Sequence, residues 1–282
     1  MPPARCAAFA MLLAVASAAT AAADAFPAQD PSAPLVEGLV LRQTVRTGKS
    51  IYLDRARMEV LCKATGTPLA VSAGDAALDG QSEMTSFYHG NRVAHYNDGH
   101  ALVAKGGLCQ PELQHLRTAT FVTRTPQGED VVEFDFEKGS GRHRFHPGLG
   151  SFAPTPGLAR VVKDVQQRVD EGPPGWTASG QAKVAGDHSC KLWVLDTPKL
   201  HSQSCRVLPP AFATPFADLV LTEWFDYPAG QPDAWFGGKF ESLDWKARFR
   251  ENVLQVPGGA RIIELPATPI PGGAGPNAGR LP

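Results

Sequence analysis

The sequence contains no C-x-x-C pair, no H-E-x-x-H and no G-x-S-x-G. A dithiol redox centre, a zinc-protease helix and a nucleophile elbow therefore have no anchor in it. Gly48-Lys49-Ser50 resembles the end of a phosphate loop, but the first glycine of such a loop would fall at Gln43. The backbone cradle is incomplete, and a turn is the better reading. Gly148-Leu149-Gly150 mimics part of a dinucleotide fingerprint, yet Pro154 follows closely and no strand–turn–helix unit surrounds it. An excess of positive charge is also missing. The 27 Lys and Arg against 28 Asp and Glu leave a formal charge of −1, without the basic footprint of a nucleic-acid binder. After the first 25 residues no apolar run reaches membrane-spanning length, so no transmembrane span is expected. Nothing in these patterns calls for a cofactor.

What is present begins with Arg5, an apolar run from Cys6 to Ala18, and small-residue steps at Ala21-Ala22-Ala23 and Ala23-Asp24-Ala25. This is the pattern of a secretory signal peptide over 1–25. Cys6 precedes the apolar run and is not placed like a lipidated cysteine. The expected location is periplasmic or secreted, where paired cysteines persist. Cys62, Cys109, Cys190 and Cys205 remain, and four cysteines permit three pairings. Locality favours Cys62–Cys109 with Cys190–Cys205. The second pair would clip a hairpin made of CKLWVLDT at 190–197 and SCRVL at 204–208. Each closed loop contributes about 3 kcal/mol in the chain-entropy account.

Residues 26–34, FPAQDPSAP, form a proline-spaced leader, and 266–282 a proline- and glycine-rich tail. Both are expected to lack fixed structure. The folded part is expected at 35–265 as a single domain, with a candidate hinge in the glycine- and proline-rich stretch 147–157. Residues 35–46 and 50–62 read as a hairpin around Thr47-Gly48-Lys49. In its second arm Tyr52, Ala56, Met58, Val60 and Cys62 hold one phase of a two-residue period. TSFYH, RVAHY and ALVAK in 85–105 read as a three-strand meander broken at Gly90-Asn91 and Asn97-Asp98-Gly99. Another strand is expected at 131–136. Thr155 and Pro156 open a helix that carries Leu158, Val161, Val162, Val165 and Val169 on one stripe, and Gly172 closes it. A shorter helix is expected near Pro111, with Leu113 and Leu116. Further strands are expected at 181–185, 190–196, 204–208, 216–227 and 259–265. Strand runs outnumber helices without regular alternation. The expected class is α+β, a mostly antiparallel curved sheet with a few flanking helices.

Two groups of residues are candidates for chemistry. If Asp98-Gly99 is a two-residue turn, His95, Asn97 and His100 project together, and His95 and His100 become a metal-ligand pair awaiting a third ligand. The aromatic segment Trp224, Phe225, Tyr227, Trp235, Phe236, Phe240, Trp245 and Phe249 suits an apolar pocket for an acyl chain or ring, and equally suits a core. Glu223, Asp226, Asp233, Glu241 and Asp244 are interleaved with it, as paired carboxylates of a glycosidase or as the wet face of a strand.

LVLRQTVRTGKSIYLDRARMEV at 39–60, GDHSCKLWVLDT at 186–197 and LQVPGGARIIELP at 254–266 resemble segments of the periplasmic lipoprotein-carrier superfamily, the LolA/LolB-like half-barrels. The resemblance implies a half-barrel-like sheet closed on one side by helices around a hydrophobic hollow that holds lipid or acyl chains. The two cystines and the aromatic segment after 224 depart from that pattern, and no functional residue transfers. The resulting expectation is an exported bacterial envelope protein that binds an amphiphilic or apolar ligand, or an envelope protein partner, without catalysis. Met58, Val60, Phe134 and Phe136 would line the inner face, with Trp224, Trp235 and Phe240 closing it. The alternatives are an envelope hydrolase using Asp/Glu or His, and a periplasmic metal-binding protein.

Overall fold

The structure is a computed structural model that describes residues 26–47, 52, 54–147, 171, 172, 175–184, 188–207, 221–230 and 236–267. The segment 1–25 lies outside these residues. So do the expected helix at 156–171 apart from Glu171, the hinge at 147–157 apart from Pro147, and the tail beyond Ala267.

Twelve strands form one sheet: β1 (Leu35–Thr47), β2 (Gln81–His89), β3 (Arg92–Val103), β4 (Glu112–Thr125), β5 (Gly128–Asp135), β6 (Ser140–Pro147), β7 (Thr177–Val184), β8 (His188–Asp196), β9 (Leu200–Val207), β10 (Leu221–Pro228), β11 (Phe236–Arg250) and β12 (Arg261–Glu264). Helices α1 (Arg55–Ala64) and α2 (Ala73–Leu78) and a 3-10 turn at Glu251–Leu254 complete the described elements. Across the sheet the order is β12-β6-β5-β4-β3-β2-β1-β11-β10-β9-β8-β7. Every neighbouring pair is antiparallel except β12 with β6. The sheet is curved and unclosed, an α+β half-barrel-like fold.

Curvature starts in the long central pair. β1 and β11 carry register shifts between Gly38 and Val40 and between Arg42 and Gln43. Such bulges bend a strand and raise its twist. Gly38 permits the first one, because a Cβ there would stand 2.1 Å from the Tyr88 carbonyl oxygen. The second face of the sheet holds Phe87, Ala94, Tyr96, Ala119, Phe121, Phe134 and Phe249, capped by Val253 and Leu254 of the 3-10 turn. Tyr96 fixes that turn by donating its hydroxyl to the Val253 carbonyl at 2.8 Å, and Arg92 pairs with Glu251. Each large apolar side chain so covered contributes on the order of 2 kcal/mol.

Several expectations are corrected. Residues 26–34 are laid onto this second face. Phe26 meets Tyr96 and Phe136 edge-on with ring centroids 5.3 and 4.9 Å apart. Asn252 binds the Ala28 carbonyl and the Asp30 amide, both at 3.1 Å. The second arm of the hairpin expected at 50–62 is α1. Asp54 caps it by accepting from the Arg57 amide at 3.2 Å, and Arg55 bridges Glu59 one turn on at 2.8 Å. Met58 and Cys62 are buried one turn apart, so their even spacing served the helix. The meander is a single hairpin, β2–β3, turning at Gly90-Asn91. Asn97-Asp98-Gly99 runs straight through β3. Gly99 lets β2 come close: a Cβ there would lie 2.5 Å from the Ser82 Cβ and 2.8 Å from the Gln81 carbonyl oxygen. The short helix near Pro111 is the start of β4, where Leu113 pairs with Leu102 and Leu116 with Gly99.

The cysteines pair as locality favours. Cys62–Cys109 ties α1 to the loop before β4, within a satellite core of Tyr52, Met58, Val71 and Ala76. Cys190–Cys205 joins β8 to β9. It belongs to the same buried cluster as Leu39, Leu41, Tyr88, Val93, Phe240 and Leu243.

Candidate functional site

Register and alternation place three rows of side chains on the first face of the sheet. Leu39, Tyr88, Val93, Val122, Val131 and Arg144 stand in the first row, running from β1 to β6. Leu41, Ser86, His95, Thr120, Glu133 and Arg142 form the second, which Ile263 of β12 continues. Gln43, Met84, Asn97, Thr118, Asp135 and Ser140 form the third, which Arg261 continues. The face is therefore amphipathic along the strands. One row is apolar until it meets an arginine. The second becomes polar on leaving β1, and the third is polar throughout except at Met84, until Arg261.

Burial follows the same gradient. Leu39, Tyr88 and Val93 are buried, Val122 and Val131 are half-buried, and Glu133 and Arg142 are exposed. Over β4, β5, β6 and β12 the face opens into a groove of about 580 Å³. Thr118, Thr120, Glu133, Arg142, Arg261 and Ile263 are among its lining residues. Asp135 is matched by Lys138 at 2.5 Å. Among the described residues Arg142 and Arg261 have no ion-pair partner, and the Nε of Arg144 is buried without a hydrogen bond. Each row thus carries an arginine near this edge, Arg144 in the first, Arg142 in the second and Arg261 in the third.

Between the two ends lies a polar inset. Ser86 is fully buried and its hydroxyl meets His95 Nδ1 at 2.8 Å. Tyr88 stands edge-on to His95 with ring centroids 5.7 Å apart. Desolvation pushes the His95 pKa down to about 4, so the imidazole is neutral at pH 7. Desolvation also pushes the Tyr88 phenol up to about 12, against a hydrogen bond to Ser86. A serine–histidine pair at this distance has the geometry of a nucleophile and base. With Ser86 fully buried, no substrate reaches it in this conformation.

The structure scatters the residues expected to line one pocket. Met58 is buried in the satellite core of α1, and Val60 points outward at 70 % exposure. Phe134 and Phe136 pack on the second face under Phe26. Trp224 is half-buried near Gly238, where a Cβ would come within 2.4 Å of its ring. Phe240 is buried beside Leu41 and Leu243 in the first-face cluster, and Trp235 lies outside the described residues. His95 and His100 are not brought together. They are five apart on one continuous strand and face opposite ways. His100 stacks instead on His115, centroids 4.9 Å apart, and His115 bonds Asp98. Among the described residues no group of three or more His, Cys, Asp and Glu side chains is arranged to hold a metal ion, and no helix is long and apolar enough to cross a membrane.

Thr118, Thr120, Arg142, Arg144 and Arg261 escaped the sequence reading as a set. The signal for the first four is alternation in TATFV at 118–122 and RHRF at 142–145, which fixes a face but not a neighbour; Arg261 had only the strand expected at 259–265. Compared with family models, with curated proteins and with solved structures, the chain matches none.

Proposed function

We propose that this is an exported, non-catalytic binding protein of the bacterial cell envelope, and that the first face of its sheet takes an anionic amphiphile. The observation that carries this reading is the open end of that face, where half-buried Val122 and Val131 lead to Arg144, whose Nε is buried without a hydrogen bond, beside Arg142 and Arg261. An apolar tail lies along such a row without breaking water hydrogen bonds. Its head then meets guanidinium groups that match carboxylate or phosphate oxygens in a bidentate fork. The groove of about 580 Å³ has the volume of a small-molecule site. The signal-like segment 1–25 and the two cystines support the exported setting. The curved, open sheet is the architecture that the half-barrel resemblance implies.

A dansylated fatty acid tests the reading. Its fluorescence is expected to rise on titration with the protein and to fall when a lysophosphatidylglycerol is added. R142A/R261A is expected to weaken uptake by roughly tenfold or more, since each lost charged hydrogen bond is worth about 1.5 kcal/mol. Absence of any fluorescence change, or uptake unaltered in both R142A/R261A and V122D, overturns it.

A further inference from the structure

The outward side of α1 is apolar, although a helix on a protein surface ordinarily turns polar residues to water. Met58 and Cys62 face the satellite core. Ala56, Val60 and Ala64 recur at four-residue steps on the opposite side, and all three are exposed. Val60 is 70 % exposed and Leu61, on the flank of that stripe, 45 %. Leu108, 48 % exposed, shares a shallow hollow with Leu61 and Thr65. The Cys62–Cys109 bridge locks the loop that carries it to the helix, and the Tyr52 hydroxyl donates to the Leu108 carbonyl at 3.2 Å. Three large apolar side chains are thus held out from one rigid platform, at the cost of exposing them. The charges around them are mixed, but the acids are engaged: Asp54 caps the helix by accepting from the Arg57 amide. Glu59 is matched by Arg55 at 2.8 Å and Glu112 by Lys105 at 3.2 Å. Arg57 and Lys63 have no ion-pair partner among the described residues.

We infer that α1 and Leu108 form a membrane-docking surface that seats on an anionic lipid bilayer. Exposed apolar side chains around a shallow hollow, flanked by cations with no ion-pair partner among the described residues, are complementary to a deformable, negatively charged interface: Val60, Leu61 and Leu108 enter the headgroup boundary, and Arg57 and Lys63 remain at the phosphates. This surface is separate from the groove on the first face. It concerns where the protein sits, not what it carries.

Hydrogen exchange of the full chain with vesicles provides a local readout, independent of any contribution from residues 1–25. The α1 amides and those of 104–110 are expected to exchange several-fold more slowly with vesicles of phosphatidylcholine and phosphatidylglycerol than with phosphatidylcholine alone. V60D/L61D is expected to abolish that protection, and R57E/K63E to weaken vesicle binding on the order of tenfold or more. All four positions are exposed or flank the stripe, so both variants should keep the wild-type melting midpoint. Unchanged exchange in α1 with the protein bound to vesicles overturns the inference. So does protection that persists in V60D/L61D, or absence of binding to anionic vesicles. Uptake of the dansylated fatty acid in solution should be unaffected by either variant, which separates a failure here from a failure of the groove.

Discussion

Glu223 Oε2 accepts the backbone N–H of Phe240 at 2.9 Å. Among the described residues β10 and β11 share three ladder pairs, Trp224 with Gly238, Phe225 with Gly237 and Asp226 with Phe236. Beyond them a side chain takes over a ladder hydrogen bond. Gly237 and Gly238 allow the strands to meet there, since a Cβ at Gly237 would stand 2.0 Å from the Trp224 carbonyl oxygen. This short ladder and this carboxylate join the β1–β6, β11, β12 part of the sheet to the β7–β10 part, and the buried cluster in which Cys190 and Cys205 meet Leu39, Leu41, Tyr88 and Val93 packs across the seam.

Replacing Glu223 separates its two properties. E223A leaves the Phe240 amide unpaired and is expected to cost about 1–3 kcal/mol. E223Q keeps an acceptor and removes a desolvated charge. Burial raises the Glu223 pKa, so its contribution is fullest at acid pH and fades as pH rises through the folded value. E223Q is therefore expected to equal or exceed wild type at pH 7 in urea melts, while E223A falls below it. Equal loss in both variants would exclude the amide contact as the reason for the glutamate.

His95 sets a lower limit on pH. Its folded pKa of about 4 lies below the ordinary value of 6.5. The unfolded chain therefore binds a proton that the folded chain refuses. Stability is full above pH 6.5 and falls as pH drops toward 4, by up to about 3 kcal/mol. H95Q should flatten that part of the curve. Urea midpoints measured between pH 7 and 4 for both proteins check it.

His143 acts in the opposite sense at the edge of the sheet. Its Nδ1 meets Glu264 of β12 at 2.5 Å, and its Nε2 meets Asp130 of β5 at 3.1 Å. The hydrogen bond to Glu264 is the largest influence raising its pKa, with Asp130 adding to it against desolvation. The protonated form is the one that pins β12. That contribution is present below the unfolded pKa and is lost as pH rises through the folded one. Amides of Ile262 and Ile263, corrected for intrinsic rates, should lose protection on going from pH 6 to pH 9, and E264Q should remove the pH dependence.

The two cystines differ in expected consequence. Peptide mapping under non-reducing conditions should recover Cys62–Cys109 and Cys190–Cys205 as linked pairs. C190S/C205S should lower stability by about 2–4 kcal/mol and expose the β8–β9 hairpin. C62S/C109S should free α1 and the Leu108 loop and leave the β1–β11 ladder protected in hydrogen exchange.

Local patterns carried part of this fold. Val132 and Phe134 alternate with Val131, Glu133 and Asp135 and mark β5. CKLWVL and SCRV mark the arms that Cys190 and Cys205 close. α1 was hidden because Met58 and Cys62 are four apart, a spacing that suits a strand's period and a helix turn alike. β3 was cut in two because Asp98-Gly99 suits a tight turn. What decided otherwise was the approach of Ser82, distant in sequence from Gly99. The site was harder still. Val93, Val122 and Val131 sit on three strands, and their row exists only through cross-strand register, which no single strand encodes.

β1 has a further implication. It lies inside the sheet between β2 and β11, with Leu35 opposite Arg250, and the residues before it are clasped by Asn252. The first of the described strands therefore waits for one of the last before its second edge is hydrogen-bonded. That edge stays open until β11 has been made. Closing a pair so far apart in sequence is a non-local step, and it slows the search for the finished sheet.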